Sequence, residues 1–238
     1  MRRGRIVFGG SFNPVHTGHM RLARGAFDAL AAHVDGLDFM PCARPAHKSS
    51  RNFLPFALRC RLLEAAIAAL PWARVNCLEG RRVAPSYTWD SMRELRAEHP
   101  GGEIFFLLGS EDFAQLGAWR NGLRLDTLCS FLVAPRGNFG QHDFGALCRS
   151  LWPQACQGEK CADLATFCLP GGGRALFLPL AWHDVSSTEM RALWLSGGDL
   201  SGLLPAGALE IMRKNRRLIS DCWQEKRDNA QGAPKGNA

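Results

Sequence analysis

The stretch Gly9-Gly10-Ser11-Phe12-Asn13-Pro14-Val15-His16-Thr17-Gly18-His19 constrains this chain more than any other part of it. It follows a short apolar run, Arg5 to Phe8, that reads as a buried strand. After it, Met20, Ala23, Phe27 and Leu30 recur at helical spacing. Strand, glycine loop and helix form the first half of a βαβ unit. The glycines let backbone N–H groups approach an anion. The helix is expected to begin near Gly18, so its positive end points at the same place. His16 and His19 stand three apart at that helix start and can face one pocket, where imidazoles can donate to phosphoryl oxygens. The loop is neither Gly-x-Gly-x-x-Gly nor a Walker P-loop, since no Gly-Lys-Ser/Thr follows. The blander alternatives are two histidines capping a helix, or a metal-binding pair.

The rest of the chain continues the alternation. Leu37–Met40 reads as a second strand ended by Pro41. Pro55 opens a helix carrying Leu58, Leu62, Ala66 and Leu70 on one face, and Pro71 stops it. Arg74–Cys77 is expected as a third strand, and a helix from about Trp89 to Arg96 ends at His99-Pro100-Gly101-Gly102. Ile104–Leu108, Phe131–Ala134 and Leu176–Leu178 read as further strands, and the last helices begin near Ser187 and Ala206. Strands alternating with helices predict an α/β fold with a parallel sheet covered on both faces. Ligands in such folds bind beyond the carboxyl ends of the strands. Asn138–Gly173 fits no motif. One domain is expected over residues 1–223, with a polar, disordered tail at 224–238.

The net charge of +7 suits an anionic partner, but Arg213, Lys214, Arg216 and Arg217 lie together and read as a solvated helix end. No aromatic-basic motif for nucleic acid accompanies the charge. No apolar run reaches membrane length, and Ile6-Val7-Phe8 is too short for a signal segment, so a cytoplasmic location is expected. The nine cysteines read as reduced thiols. Those at 148, 156, 161 and 168 are denser, but their spacing does not match zinc ligand pairs, and no protein metal site is expected.

Gly-Gly-Ser-Phe-Asn-Pro-x-His-x-Gly-His resembles the signature of the nucleotidyltransferase superfamily with the HxGH motif. That group includes nicotinate-nucleotide, pantetheine-phosphate and cytidylyl transferases. The resemblance runs from about Arg5 to Leu218 and implies a Rossmann-like, doubly wound sheet in a single domain. It implies that His16 and His19 stabilise charge on the α-phosphate of ATP, with Gly9, Gly10, Ser11, Phe12 and Gly18 around the nucleotide. Val185-Ser186-Ser187-Thr188-Glu189-Met190-Arg191 has capping-box spacing between Ser186 and Glu189. It also resembles the superfamily's second motif, in which Ser187, Thr188 and Arg191 would hold the β- and γ-phosphates.

Three further segments resemble the nicotinate-nucleotide branch. In Pro41–Lys48, Lys48 would reach a phosphate. Ser86-Tyr87-Thr88 would meet the pyridine carboxylate, and Trp119 would stack on the pyridine ring. Arg136 would lie near the mononucleotide phosphate. After the fourth main strand, Gly109-Ser110-Glu111-Asp112 departs from the family's usual Gly-Ala-Asp, so either Glu111 or Asp112 would meet a ribose. Arg136-Gly137-Asn138 departs from the usual Arg-Pro-Gly. The implied reaction joins AMP from ATP to nicotinate mononucleotide and releases pyrophosphate, with Mg²⁺ bound mainly through the ATP phosphates. The implied partners are these two nucleotides, with no nucleic acid or membrane, and self-association into a homo-oligomer is left open. The alternatives are a pantetheine-phosphate adenylyltransferase, and a non-catalytic nucleotide sensor on the same fold. The hydroxyl and free helix amides of Ser86-Tyr87-Thr88 favour an acid over an amide pyridine.

Overall fold

The computed structural model describes residues 3–45, 52–83, 85–180 and 185–224. The elements in chain order are β1 (Gly4–Gly10), α1 (Thr17–Leu30), β2 (Val34–Pro41), α2 (Phe56–Ile67), β3 (Ala73–Val75), α3 (Thr88–Glu98), β4 (Ile104–Gly109) and α4 (Ser110–Ala114). They continue with β5 (Ser130–Ala134), α5 (Gln141–Leu151), β6 (Cys156–Gln157), β7 (Thr166–Cys168), β8 (Arg174–Phe177), α6 (Ser187–Leu195), α7 (Ala206–Lys214) and α8 (Arg216–Gln224). The strands form one sheet in the order β3-β2-β1-β4-β5-β8-β7-β6. From β3 across to β8, in that order, neighbouring strands run parallel. The chain winds outward from β1 to β2 and β3, then returns to β4 on the other side. That reversal opens a crevice at the carboxyl ends of β1 and β4, where Gly9–Gly10 and Gly109 lie.

Alternation along the strands separates two cores. Ile6, Phe8, Phe105 and Leu107 pack with Leu30, Leu62 and Trp194 on one face. Val7, Phe106, Phe131 and Val133 pack with Met92, Phe113 and Phe144 on the other. α1 buries Ala23, Ala26 and Leu30. Of the expected face, Met20 and Phe27 are only partly buried, and Phe27 stacks on Trp72 with centroids 4.6 Å apart.

The expected elements are present with shifted ends. β3 starts one residue earlier than expected and stops at Val75. Its successor Asn76 turns aside, donating to Asp38 Oδ2 at 2.9 Å and accepting from the Leu78 N–H at 3.1 Å to open a 3₁₀ turn. β8 likewise begins at Arg174 rather than Leu176. The Ser110–Ala114 stretch, left unassigned from sequence, is helical. α7 and α8 are separate helices, divided at Asn215, whose side chain donates back to the Ile211 carbonyl at 2.8 Å. The basic cluster of Arg213, Lys214, Arg216 and Arg217 falls at this junction. α8 reaches Gln224, and the expected disordered tail beyond it lies outside the described residues.

The sheet is mostly parallel, as expected from sequence, with antiparallel pairing at the β8-β7-β6 edge. The unassigned stretch before Gly173 supplies α5 and an antiparallel hairpin, β6 on β7 and β7 on β8. The tight connection from Cys168 to Arg174 forces that direction. Its Gly173 passes so close to Asp126 and Cys129 that an added Cβ would lie 2.5 Å from their carbonyl oxygens. Among the described residues no helix is long and apolar enough to cross a membrane.

Asp38, fully buried in β2, ties its strand to both neighbours: to Arg5 of β1, to Arg74 on β3 at 2.8 Å, and to Asn76 just beyond β3. Burial alone would raise its pKa, but hydrogen bonds from Arg74, Arg5 and Asn76 and the charge of Arg5 outweigh it, so the net shift is downward. The stability this carboxylate contributes is therefore present above its unfolded value of 3.8 and is lost as pH falls through the lower folded value. Asp38→Ala is expected to cost about 2–3 kcal/mol, less than for a wholly buried pair because Arg74 is half exposed. Urea unfolding at pH 7 checks this, and an unchanged midpoint would contradict it.

Candidate nucleotide site

The loop between β1 and α1 is clamped by buried side chains. Phe12 takes a positive φ of 44° and is 1% exposed. Its ring packs against Phe8, Phe39 and His19 at 5.4, 5.7 and 5.0 Å. A Cβ on Gly10 would lie 3.0 Å from the buried Phe12 ring, a tight contact that the glycine avoids. The Asn13 side chain donates to the Asn52 carbonyl at 2.8 Å and accepts from the Leu54 N–H at 3.0 Å. Arg59 on α2, 1% exposed, donates to the carbonyls of Ser11 at 2.8 Å and Leu54 at 3.1 Å. Its pKa is lowered by burial.

His16 is the N-cap of α1, and its backbone N–H donates to His19 Nδ1 at 3.2 Å. The capping alternative is thus realised, and it carries a chemical consequence. A neutral imidazole that accepts on Nδ1 holds its proton on Nε2. His19 therefore presents an N–H donor without needing to be charged. The two rings lie 3.7 Å apart between centroids, tilted by 32°. Burial lowers the His16 pKa to about 4 despite the opposing charge of Glu189. Burial, then the neighbouring His16, holds His19 well below the ordinary range. His16 Nδ1 is buried with no hydrogen-bond partner. A Cβ at Gly18 would approach that atom to 3.0 Å, a tight contact that the glycine avoids.

Three helix starts on the sheet's carboxyl edge keep amides available. In α1 the N–H groups of Thr17, His19 and Met20 are taken by Leu203 and His16 carbonyls, leaving Gly18. In α6, Ser186 caps as its spacing foretold: its Oγ accepts from Glu189 N–H at 3.2 Å, and Glu189 Oε2 accepts from Ser186 N–H at 2.9 Å. Met190 N–H returns to Ser186, leaving the amides of Ser187 and Thr188. In α3, Asp90 and Ser91 N–H groups return to Tyr87, leaving those of Thr88 and Trp89.

α6 is docked directly on the loop between β1 and α1. Ser187 Oγ donates to the Pro14 carbonyl at 3.0 Å, and Arg191 donates to the Asn13 carbonyl at 3.1 Å and to Thr188 Oγ1 at 3.0 Å. The two motifs, far apart in sequence, are thereby one site, and burial lowers the Arg191 pKa.

The expected mononucleotide residues lie beyond the same sheet edge. Ser86 pairs with the loop after β2: its N–H donates to the Arg44 carbonyl at 2.8 Å, and its Oγ accepts from the Arg44 N–H at 3.1 Å. Buried Glu79 braces the same region, accepting from Ala43 N–H at 3.2 Å and from Ser91 Oγ at 2.7 Å. Trp119 is partly buried, its ring edge-on to Phe106 at 6.5 Å. Arg136 ion-pairs with Glu111, so these two expected contacts meet each other across the ends of β4 and β5. Lys48 lies outside the described residues. Asn13, Arg59 and Glu79 were not singled out from sequence. Arg59 had one signal, a charged residue beside Leu58 and Leu62 on an apolar helix. Among the described residues no group of three or more His, Cys, Asp or Glu could hold a metal ion.

A doubly wound sheet with a clamped glycine loop, two stacked imidazoles and several free helix amides at its switch point defines a nucleotide-binding α/β protein of the phosphate-transferring kind. The chain matches the cytidylyltransferase-like family over residues 7–193. It is 34% identical to a probable nicotinate-nucleotide adenylyltransferase of Geobacter metallireducens, over 93% of this chain and 100% of that one. It is 35% identical to one of the same name from Chromobacterium violaceum, over 88% and 96%. The fold is shared with the Plasmodium falciparum nicotinic acid mononucleotide adenylyltransferase complexed with NaAD, at a TM-score of 0.69, 16% identity, and coverage of 91% and 98%. The chain belongs to the cytidylyltransferase-like family, in its nicotinate-nucleotide adenylyltransferase branch.

The histidine geometry sets an expectation in solution. His16 is expected to stay neutral until the pH falls toward about 4, and His19 to stay neutral well below the ordinary histidine range, as the Nε2–H tautomer. Because the His16 pKa is depressed, the stability it contributes is present above 6.5 and is lost as pH falls toward about 4. Nitrogen chemical shifts from long-range ¹H–¹⁵N NMR report both states, and titration of either ring near 6.5 would contradict the assignment.

Proposed function

We propose that this protein transfers the AMP moiety of ATP to nicotinate mononucleotide, forming the deamido dinucleotide and pyrophosphate. The observation that carries the reading is the stacked His16–His19 pair beside the Gly18 amide, at the mouth of the clamped loop. A phosphate oxygen of the mononucleotide attacks the α-phosphorus in line. The bond from that phosphorus to the bridging oxygen breaks, and its electron pair leaves with pyrophosphate. No covalent protein intermediate is needed, since such transfer depends on positioning and charge stabilisation.

His19 Nε2–H and the Gly18 amide supply preorganised donors to the α-phosphate. His16, whose buried Nδ1 has no partner within the protein, adds a second imidazole there. The Ser187 and Thr188 amides and Arg191 suit the β- and γ-phosphates, at the positive end of α6. Gly9, Gly10, Ser11 and Phe12 shape the floor of this subsite, and either Glu111 or Asp112 is the ribose contact. Ser86, Tyr87, Thr88 and Trp119 form the pyridine subsite, with Arg136 and Lys48 serving phosphate. The described residues offer donors rather than a carboxylate cluster, so a Mg²⁺ ion fits as a companion of the ATP oxygens and water. Such an ion supplies neutralisation of phosphate charge.

Pyrophosphate release with ATP tests the reading. Nicotinate mononucleotide is expected to be the best acceptor among itself, nicotinamide mononucleotide and phosphopantetheine; phosphopantetheine as the best would contradict it. His19→Ala is expected to lower kcat by about 10²–10³ with a much smaller change in ATP affinity, the usual cost of one preorganised donor. Near-normal turnover in a folded variant would remove His19 from this role. Trp119→Ala is expected to raise KM for both pyridine nucleotides alike, because stacking is blind to the carboxylate. A change for only one of them would contradict the stacking role.

A further inference from the structure

Acid and amide pyridines differ by one formal charge, and the free N–H groups of Thr88 and Trp89, on which the sequence expectation of an acid preference rested, separate them poorly on their own. An amide can rotate its carbonyl toward Thr88 or Trp89 as readily as a carboxylate can offer an oxygen. Discrimination by charge requires a charged group at this turn. Arg120, adjacent to Trp119, is in that position. Its guanidinium lies 4.7 Å from the centroid of the Tyr87 ring, and its Nη1 donates to Asp90 Oδ2 at 3.3 Å. Asp90 stands in the first turn of α3, two residues beyond Thr88.

We propose that Arg120 and Asp90 form a charge gate that sets preference for the acid nucleotide: Arg120 pairs with the pyridine carboxylate, and by covering Asp90 it withholds an acceptor from the amide NH₂. The inference rests on the reading of Ser86–Thr88 as the pyridine subsite. The resting Arg120–Asp90 contact is long, and the Arg120 side chain is 53% exposed, so the pair contributes little stability and exchanges readily. A planar guanidinium offers a carboxylate two parallel hydrogen bonds, a stronger arrangement than the single one it gives up. The Tyr87 face holds the cation at the turn whichever carboxylate it meets. With Arg120 removed, the bare Asp90 carboxylate repels a nicotinate carboxylate and accepts from a nicotinamide NH₂. Arg124 stands over Trp89 at 5.3 Å and is the natural control.

The test compares kcat/KM for nicotinate and nicotinamide mononucleotides in the wild type, Arg120→Ala, Arg120→Gln, Arg120→Ala with Asp90→Ala, and Arg124→Ala. Each acid-to-amide ratio is taken within one preparation, so partial misfolding cancels. Both Arg120 variants are expected to lower the ratio by about tenfold or more, the scale of a lost hydrogen bond to a charged group. The KM for ATP should stay unchanged. Adding Asp90→Ala is expected to recover part of the ratio by removing the bare carboxylate, and Arg124→Ala to leave it within about twofold. A wild type that prefers the acid, with a ratio unmoved in both Arg120 variants, overturns the gate alone. A wild type without acid preference overturns the gate and the reading of the pyridine subsite together.

Discussion

The site depends on the backbone of the Gly9–His16 loop being held from below by buried polar side chains. Arg59 binds the Ser11 carbonyl, and together with Asn13 it ties the loop to the Asn52–Leu54 segment. Phe12 closes the bend through ring contacts on three sides. A buried arginine is costly unless its donors are satisfied, and here Nε is spent on the Leu54 carbonyl and Nη1 on that of Ser11. The arrangement places structural charge beneath the site and leaves the upper surface, with the Gly18 amide and the imidazoles, for a ligand.

The electrostatics follow from that burial. Two imidazoles packed against each other and out of water resist protonation, and the His16 amide fixes the proton of His19 on Nε2. The free site is therefore donor-rich while its burial disfavours charge on the histidines. Preorganised donors of this kind act without rearranging during the reaction. The docking of α6 on the loop through Ser187 and Arg191 brings the second set of amides into register with the first.

Much of this was legible in sequence because its determinants are local. The strand–glycine–helix order, the His16–His19 spacing and the Ser186–Glu189 capping box each span a few residues, and each has the expected place in the structure. What escaped was non-local or short. The contacts of Arg59 with Ser11, Asn13 with Leu54, and Arg120 with Asp90 join distant segments and leave no periodic trace. β6 and β7 are too short for a pattern of alternation to declare itself, so the hairpin in Asn138–Gly173 could not be read. The end of β3 was misplaced because the Asn76 side chain, bound to Asp38 across the sheet, decides it.

Following the phosphorus atoms tests the central claim, adenylyl rather than phosphoryl transfer, most directly. The protein would be incubated with nicotinate mononucleotide and ATP labelled with ³²P at either the α or the γ position. The account requires α-label to enter a dinucleotide product and γ-label to leave as pyrophosphate. Transfer of γ-label to the mononucleotide, or α-label retained in ADP, would contradict it.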